Sequence, residues 1–177
     1  MKRLKSYILF ILLLLATVLP AHGHISRNMF MISNLNTDNG LSSSRVYSIV
    51  EAEDGAMWIS TKRGVDRYNG QLVSNYTLAT EMQYSDASGR NIKLTQDHHR
   101  QIYAYDNKGK VYIYNKVKDT FVLRCNLLNI LGGSIVLNEL LVDEKGNFWL
   151  AMDKGLYCLS ASADGKEIVR EKAKGRF

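Results

Sequence analysis

The chain has 177 residues, 46% of them hydrophobic and 23% charged, which is the make-up of an ordinary globular protein and, at this length, of one domain. Its net charge of +6 does not mark a nucleic-acid-binding protein. Lys2, Arg3 and Lys5 supply half of it from one short segment, and no basic stripe lies on a recognisable motif. Two cysteines, Cys125 and Cys158, are too few for a disulfide scaffold and fit no metal spacing. They read as small buried hydrophobes, with a disulfide as the alternative that an export route would permit.

Residues 1–23 have the three parts of a secretory signal. Lys2, Arg3 and Lys5 form a basic start, Tyr7 to Leu19 is an unbroken apolar run, and Ala21-His22-Gly23 places small residues where a signal peptidase reads. The run is short of the roughly 20 residues of a spanning helix, so an uncleaved anchor is the second reading. No cysteine follows it, which argues against a lipoprotein anchor. Everything after about His24 is expected outside the cytoplasm.

Residues 24–45 form a polar lead-in with one apolar patch, Met29 to Ile32, that suits a strand, and with a turn at Asn39-Gly40. Residues 46–90 hold a first unit. Val46 to Glu51 reads as a strand, Glu53-Asp54-Gly55 as a tight turn, and Ala56 to Ser60 as a second strand with Trp58 on one face and Met57 and Ile59 on the other. Lys62-Arg63-Gly64 turns again, Val65 to Tyr68 is a third strand, Asn69-Gly70 a third turn, and Gln71 to Tyr76 a fourth strand. Ten tyrosines and a single proline, Pro20, agree with β structure.

The pattern returns. Gly55, Trp58 and Gly64 map onto Gly146, Trp149 and Gly155, each 91 positions later, and Tyr103 and Gly109 stand 45 positions after Trp58 and Gly64. A repeat of about 45 residues with one aromatic per unit is the size of a β-propeller blade. Residues 91–136 are thus a divergent second unit, with Asp97-His98-His99-Arg100 where a turn belongs, and residues 137–161 a partial third with Glu144-Lys145-Gly146-Asn147 as its turn. Residues 162–177 are a charged tail or the start of another unit. The fold class is all-β, a partial propeller of about three four-stranded blades. Closed propellers have about four to eight blades. Three leave faces and edges bare, so the array is expected to be a piece of a longer chain or to be completed by a partner.

The residues that could carry chemistry favour structural roles. His98 and His99 stand side by side, and adjacent strand side chains point apart, so a solvated turn is preferred over a metal site. Glu51, Glu53 and Asp54 are acids of the kind that glycoside hydrolysis pairs, but Asp54-Gly55 is a turn signature. Trp58 and Trp149 could stack on sugars; their repeated position places them instead between blades. Ser42-Ser43-Ser44 has no partnered base, Asn75-Tyr76-Thr77 is a glycosylation sequon that matters only in a eukaryotic secretory path, and Leu131-Gly132-Gly133-Ser134 lacks the lysine and spacing of a phosphate loop. No catalytic, cofactor-binding or metal residue is assigned.

Asp38-Asn39-Gly40-Leu41-Ser42, followed by Asp54-Gly55-Ala56-Met57-Trp58 and Thr61-Lys62-Arg63-Gly64-Val65-Asp66-Arg67-Tyr68-Asn69-Gly70, closely resembles the two-component regulator propeller repeat. That family opens on DGLS and continues DG..W..T..G..RY.G. Val65 stands for the usual leucine and Asn39 for the opening aspartate, and in the third unit Met152 replaces the threonine. The resemblance covers roughly residues 28–161. It implies the N-terminal periplasmic part of a Bacteroides-type hybrid two-component sensor, whose parent would add a membrane helix, a histidine kinase and a receiver. It also implies an oligosaccharide or other small ligand, an inner-membrane anchor in the parent, and a homodimer formed through the parent receptor. This chain itself is expected to be no enzyme and to meet no nucleic acid, and to touch the membrane only through that parent or an uncleaved signal. The alternatives are a secreted structural or protein-binding module completed by a partner and, behind it, part of a secreted propeller lyase or hydrolase.

Overall fold

The structure is a computed structural model that describes residues 32–78, 91–134, 136–161 and 168–170. The chain divides into Met1–Ser33 and Asn34–Phe177. The export segment and most of the 29–32 patch lie outside the described residues. The described strands all belong to the second unit.

Among the described residues, twelve strands form three four-stranded antiparallel sheets. The first takes β1 (Val46–Glu51), β2 (Met57–Thr61), β3 (Gly64–Tyr68) and β4 (Val73–Tyr76) in chain order. The second takes β5 (Ile92–Gln96), β6 (Ile102–Asp106), β7 (Lys110–Asn115) and β8 (Thr120–Asn126). A short helix, α1 (Leu127–Leu131), leads to the third sheet of β9 (Leu137–Val142), β10 (Phe148–Met152), β11 (Gly155–Ala161) and β12 (Ile168–Arg170). Each sheet is a meander of the kind that makes a propeller blade. The third unit therefore reaches beyond Ala161. Its fourth strand comes from the stretch read as a charged tail or the start of another unit, where three residues pair with Leu159, Ser160 and Ala161. So short a strand carries almost no pattern of its own. The helix α1 is likewise absent from the sequence pattern: Asn126 caps it by accepting from the Leu128 N–H, and Leu127 anchors it in the core.

The first hairpin turn is built the same way in all three units. The N–H groups of Ala52, Asp97 and Asp143 donate to the carbonyls of Ala56, Gln101 and Asn147, four residues on. The N–H groups of Gly55, Arg100 and Gly146 donate back to the carbonyls of those same three residues. The returning residue is left-handed each time, with φ of 77°, 59° and 79°. Arginine stands in the middle copy where glycine is relaxed, which is why that unit is the hardest to see in the sequence. Asp97 offsets the strain: its carboxylate accepts from the His99 and Gln101 N–H groups, as Asp143 does from Lys145 and Asn147. Gly64 is needed for another reason: a Cβ there would stand 2.6 Å from the Tyr76 carbonyl oxygen.

The core lies between sheets. One cluster joins the first two through Trp58, Val65, Ile92, Leu94, Ile102 and Phe121. The other joins the second and third through Tyr103, Val111, Leu140, Phe148, Leu150 and Leu159. The opening strands line up side by side, β5 against β1 and β9 against β5.

Arg100→Gly is expected to stabilise the protein by about 1 kcal/mol, by removing the left-handed strain at one turn. The check is a higher denaturant midpoint at unchanged slope, and an unchanged or lower midpoint would contradict it.

Candidate functional site

Three sets of side chains organise the array. The first ties the lead-in to the first sheet. Asp66, fully buried in β3, accepts from the Ser42 N–H at 2.8 Å, the Ser42 hydroxyl at 2.9 Å and the Asn75 amide at 2.8 Å. The Ser42 and Thr61 hydroxyls share a hydrogen bond of 2.7 Å, and the Asn75 amide also reaches the Gly40 carbonyl. Gly40, with φ of 105°, closes a 3-10 turn over Thr37–Asn39 and aims the segment at β3. The serine and threonine of the motif thus gather around one aspartate. All three residues stand in the motif as sequence, but nothing there shows that they meet.

The second set lies along the opening strands. The Leu94 N–H donates to the Ser48 hydroxyl at 2.8 Å, and Ser48 in turn bonds Ser60 at 2.8 Å. Lys93 Nζ donates to the Asn138 carbonyl and to Glu139, both at 2.9 Å, and Tyr105 donates its hydroxyl to the other Glu139 oxygen. Burial, then the Glu139 carboxylate, pushes the Tyr105 phenol far up, so it stays a neutral donor. The Lys93 and Glu139 side chains are partly exposed. The result is a cation and a carboxylate within reach of a polar ligand, held from behind by the buried Tyr105 phenol.

The third set is aromatic. Trp58, 1% exposed, meets Tyr76, Tyr114 and Phe121 with ring centroids 5.0, 4.6 and 5.5 Å away. At the rim, Tyr76 of the first sheet and Tyr114 of the second donate their hydroxyls to the same Asp119 oxygen, at 2.9 and 2.6 Å. Those two bonds hold the Asp119 carboxyl below its ordinary 3.8. Tyr103 repeats the role of Trp58 one joint on, edge to face with Phe148 at 5.9 Å. Burial and then Asp97 push its phenol up to about 12.

The residues singled out in the sequence take varied places. Trp58 is core between sheets. Trp149 is half-buried, and its indole N–H donates to Asp143 at 3.0 Å. Burial pushes the Asp143 carboxyl up, but the donors from Trp149, Asn147 and Lys145 outweigh it and hold it below 3.8. Asp54 is exposed, accepts from the Ala56 N–H at its turn and pairs with Arg67. Glu51 and Glu53 are exposed on or beside the same hairpin. His98 and His99 occupy a turn and not a strand, so their rings do not point apart but touch, 3.6 Å between centroids. Among the described residues no group of three or more His, Cys, Asp or Glu side chains converges as a metal site would require. Cys125 and Cys158 are not joined in a disulfide, and burial pushes the Cys125 thiol up to about 11. The Asn75 side chain is occupied by Asp66 and Gly40. Gly132 ends α1, so the 131–133 stretch is a helix stop.

Residues 40–63 match the profile of the family described as two component regulator propeller. Over that stretch the chain is similar to a two component regulator propeller repeat. The matched stretch of that repeat holds Gly40, Ser42, Trp58 and Thr61, so it spans the lead-in network and the first joint. No curated protein sequence matches the chain. Solved structures share its fold. It is similar to the extracellular domain assigned to the hybrid two component system BT4673 from B. thetaiotaomicron, with 18% identity over 82% of this chain and 19% of that one and a TM-score of 0.59. For the corresponding domain of BT3049 from the same organism the figures are 19%, 80%, 18% and 0.52. A second structure of the BT4673 domain, assigned there to a one component system, gives 19%, 75%, 17% and 0.55. The chain spans less than a fifth of the length of each of these domains.

Asp66→Ala leaves three donors without their acceptor and is expected to cost about 3 kcal/mol. A double-mutant cycle with Ser42→Ala should give a coupling above about 1 kcal/mol, and additive effects would deny the network. Asp119 predicts a pH effect. A depressed carboxylate contributes stability that is present above 3.8 and lost as pH falls through its folded value. Asp119→Asn keeps a residue that tolerates the left-handed φ of 47°, so its unfolding midpoint should fall less than that of the parent between neutral pH and pH below 3.8. Equal falls would show that the rim carboxylate contributes nothing.

Proposed function

We propose that the chain is the periplasmic, ligand-sensing or signal-transmitting portion of a two-component signal transduction receptor, with oligosaccharides released from glycans as its ligand class. One observation carries the reading: the two component regulator propeller match falls on the residues that join the lead-in to the first blade. The likeness of fold to extracellular domains of hybrid two component systems supports it. Kinase activity would belong to a parent chain, and no described helix is long and apolar enough to cross a membrane. The ligand class is supported by the opening strands, where the partly exposed Lys93 and Glu139 offer a donor and an acceptor of the kind that sugar hydroxyls require. A ligand held better by one arrangement of the blades shifts the receptor towards that arrangement; without such a preference no signal follows.

The test is to sequence the locus and its transcript beyond Phe177. The expected outcome is a frame continuing into more repeats, a span of about 20 apolar residues and a kinase. The complete ectodomain should then show a thermal shift with some member of an oligosaccharide panel. A stop codon after Phe177 would sink the receptor reading and favour a secreted module that a partner completes.

A further inference from the structure

The turn between the second and third strands holds a cation at one position in every sheet. Lys108 and Lys154 stand 45 and 91 positions after Arg63, and all three are exposed. These turns lie at one end of the array. In each sheet the first residue of the opening strand pairs with the last of the second strand, Val46 with Thr61, Ile92 with Asp106 and Leu137 with Met152. Each turn therefore sits beside the start of its own opening strand. The opening strands are in turn aligned start to start. The third residue of β5 bonds the third of β1, Leu94 to Ser48, and the second of β5 bonds the second of β9, Lys93 to Asn138. Exposed Lys62 and Arg45 join the same end, held together by a 3.0 Å bond from the Lys62 N–H to the Arg45 carbonyl. The third sheet repeats that bond, from the Asp153 N–H to the Val136 carbonyl at 3.3 Å.

Among the described residues none of Arg45, Lys62, Arg63, Lys108 and Lys154 is in an ion pair. Asp153 is the one exposed acid in the three turns. Asp66 and Asp106 lie nearby but are buried, Asp66 accepting from Ser42 and Asn75 and Asp106 from the Lys108 and Lys110 N–H groups. The opposite end differs, because its turns carry both signs: Glu53 and Asp54, then Arg100, then Glu144 and Lys145. Like charges gathered by the fold and left unpaired repel one another, and together they draw anions to that end.

We propose that this end of the array binds an acidic oligosaccharide, whose carboxylate or sulfate groups seat on Arg45, Lys62, Arg63, Lys108 and Lys154. Such a ligand is a narrower class of the oligosaccharides proposed above, so it rests on that reading. Neighbouring groups favour a sugar over other polyanions. The Leu137 N–H donates to the Asn107 carbonyl at 2.9 Å, which places Lys108 close to the start of β9. Glu139, with its partner Lys93, stands two residues further on and offers an acceptor and a donor for hydroxyls. Exposed Ser44 and Asn138 add neutral hydrogen-bonding side chains beside Arg45 and Glu139. Arginine supplies geometry as well as charge, since its planar fork takes a carboxylate through two parallel bonds.

The test is titration calorimetry of the full chain with three matched octamers. These are maltooctaose, its form with each primary hydroxyl oxidised to a carboxylate, and its sulfated form. At low salt at least one acidic octamer is expected to bind about tenfold or more tighter than the neutral one, and high salt should remove most of the difference. Which acidic octamer binds separates carboxylate from sulfate recognition. Arg63→Gln, Lys108→Gln and Lys154→Gln combined should weaken that binding about tenfold or more at an unchanged thermal midpoint. Glu53→Gln with Glu144→Gln, at the opposite end, should leave it unchanged. Equal affinity for acidic and neutral octamers would overturn the inference and leave the oligosaccharide reading standing. Binding of none of the three would overturn it, as would a triple variant that binds like the parent. So would equally tight binding of polyglutamate or single-stranded DNA of matched charge, which would make the surface a general anion binder. The receptor reading is decided separately, by the frame beyond Phe177.

Discussion

Everything in this molecule depends on covering both faces of a four-stranded sheet. A meander of five-residue strands has no interior, and its apolar residues are buried only by another sheet laid across them. Trp58 illustrates the scale. The indole is in contact range of rings from β4, β7 and β8, and Arg67 lies 5.8 Å above it. Truncating such a side chain typically costs about 3–5 kcal/mol, a large share of what holds a small domain together. The requirement explains the repeat. Each unit must present one apolar face to the sheet before it and another to the sheet after it, so the aromatic recurs at one place in the strand.

Polar groups do the complementary work of fixing where each sheet sits. Apolar faces set the separation of two sheets but restrain sliding weakly, since dispersion contacts are many and individually small. Directional bonds supply the register: Ser48 to Leu94 at the first joint, Lys93 to Asn138 and Glu139 at the second. The two joints differ in this respect. The first is pinned by a serine hydroxyl and by a rim of two phenols on one carboxylate. The second is pinned by an ion pair whose members remain partly open to water, a pair of the kind that salt and competing ligands weaken.

Turn chemistry made most of the fold legible. Asp54-Gly55, Arg63-Gly64, Asn69-Gly70 and Lys145-Gly146 punctuate the chain at positions that only particular residues tolerate, and the strands between them fall within a residue or two of their expected limits. The second unit was dimmer because Arg100 holds a glycine's conformation with the help of Asp97, a compensation that no local pattern records. The fourth strand of the third sheet escaped because three residues cannot show a period. The convergence of Ser42, Thr61 and Asn75 around Asp66 escaped for another reason. Its bonds to Asp66 span up to 24 residues, and nothing in a serine's neighbours says which carboxylate it will meet. His98 and His99 stand in the exposed turn expected of them, where their rings touch.

The distribution of strong and weak contacts constrains how the proposed receptor segment would transmit a signal. Rings packed at core density do not deform gradually, so a ligand cannot act by bending a blade. It would act where contacts are exchangeable, and those lie on the opening strands, at the partly exposed Lys93 and Glu139, not around Trp58. A hydroxyl-rich ligand that replaced the Lys93–Glu139 bond would free the register of the third sheet against the second while leaving the Tyr103–Phe148 packing intact.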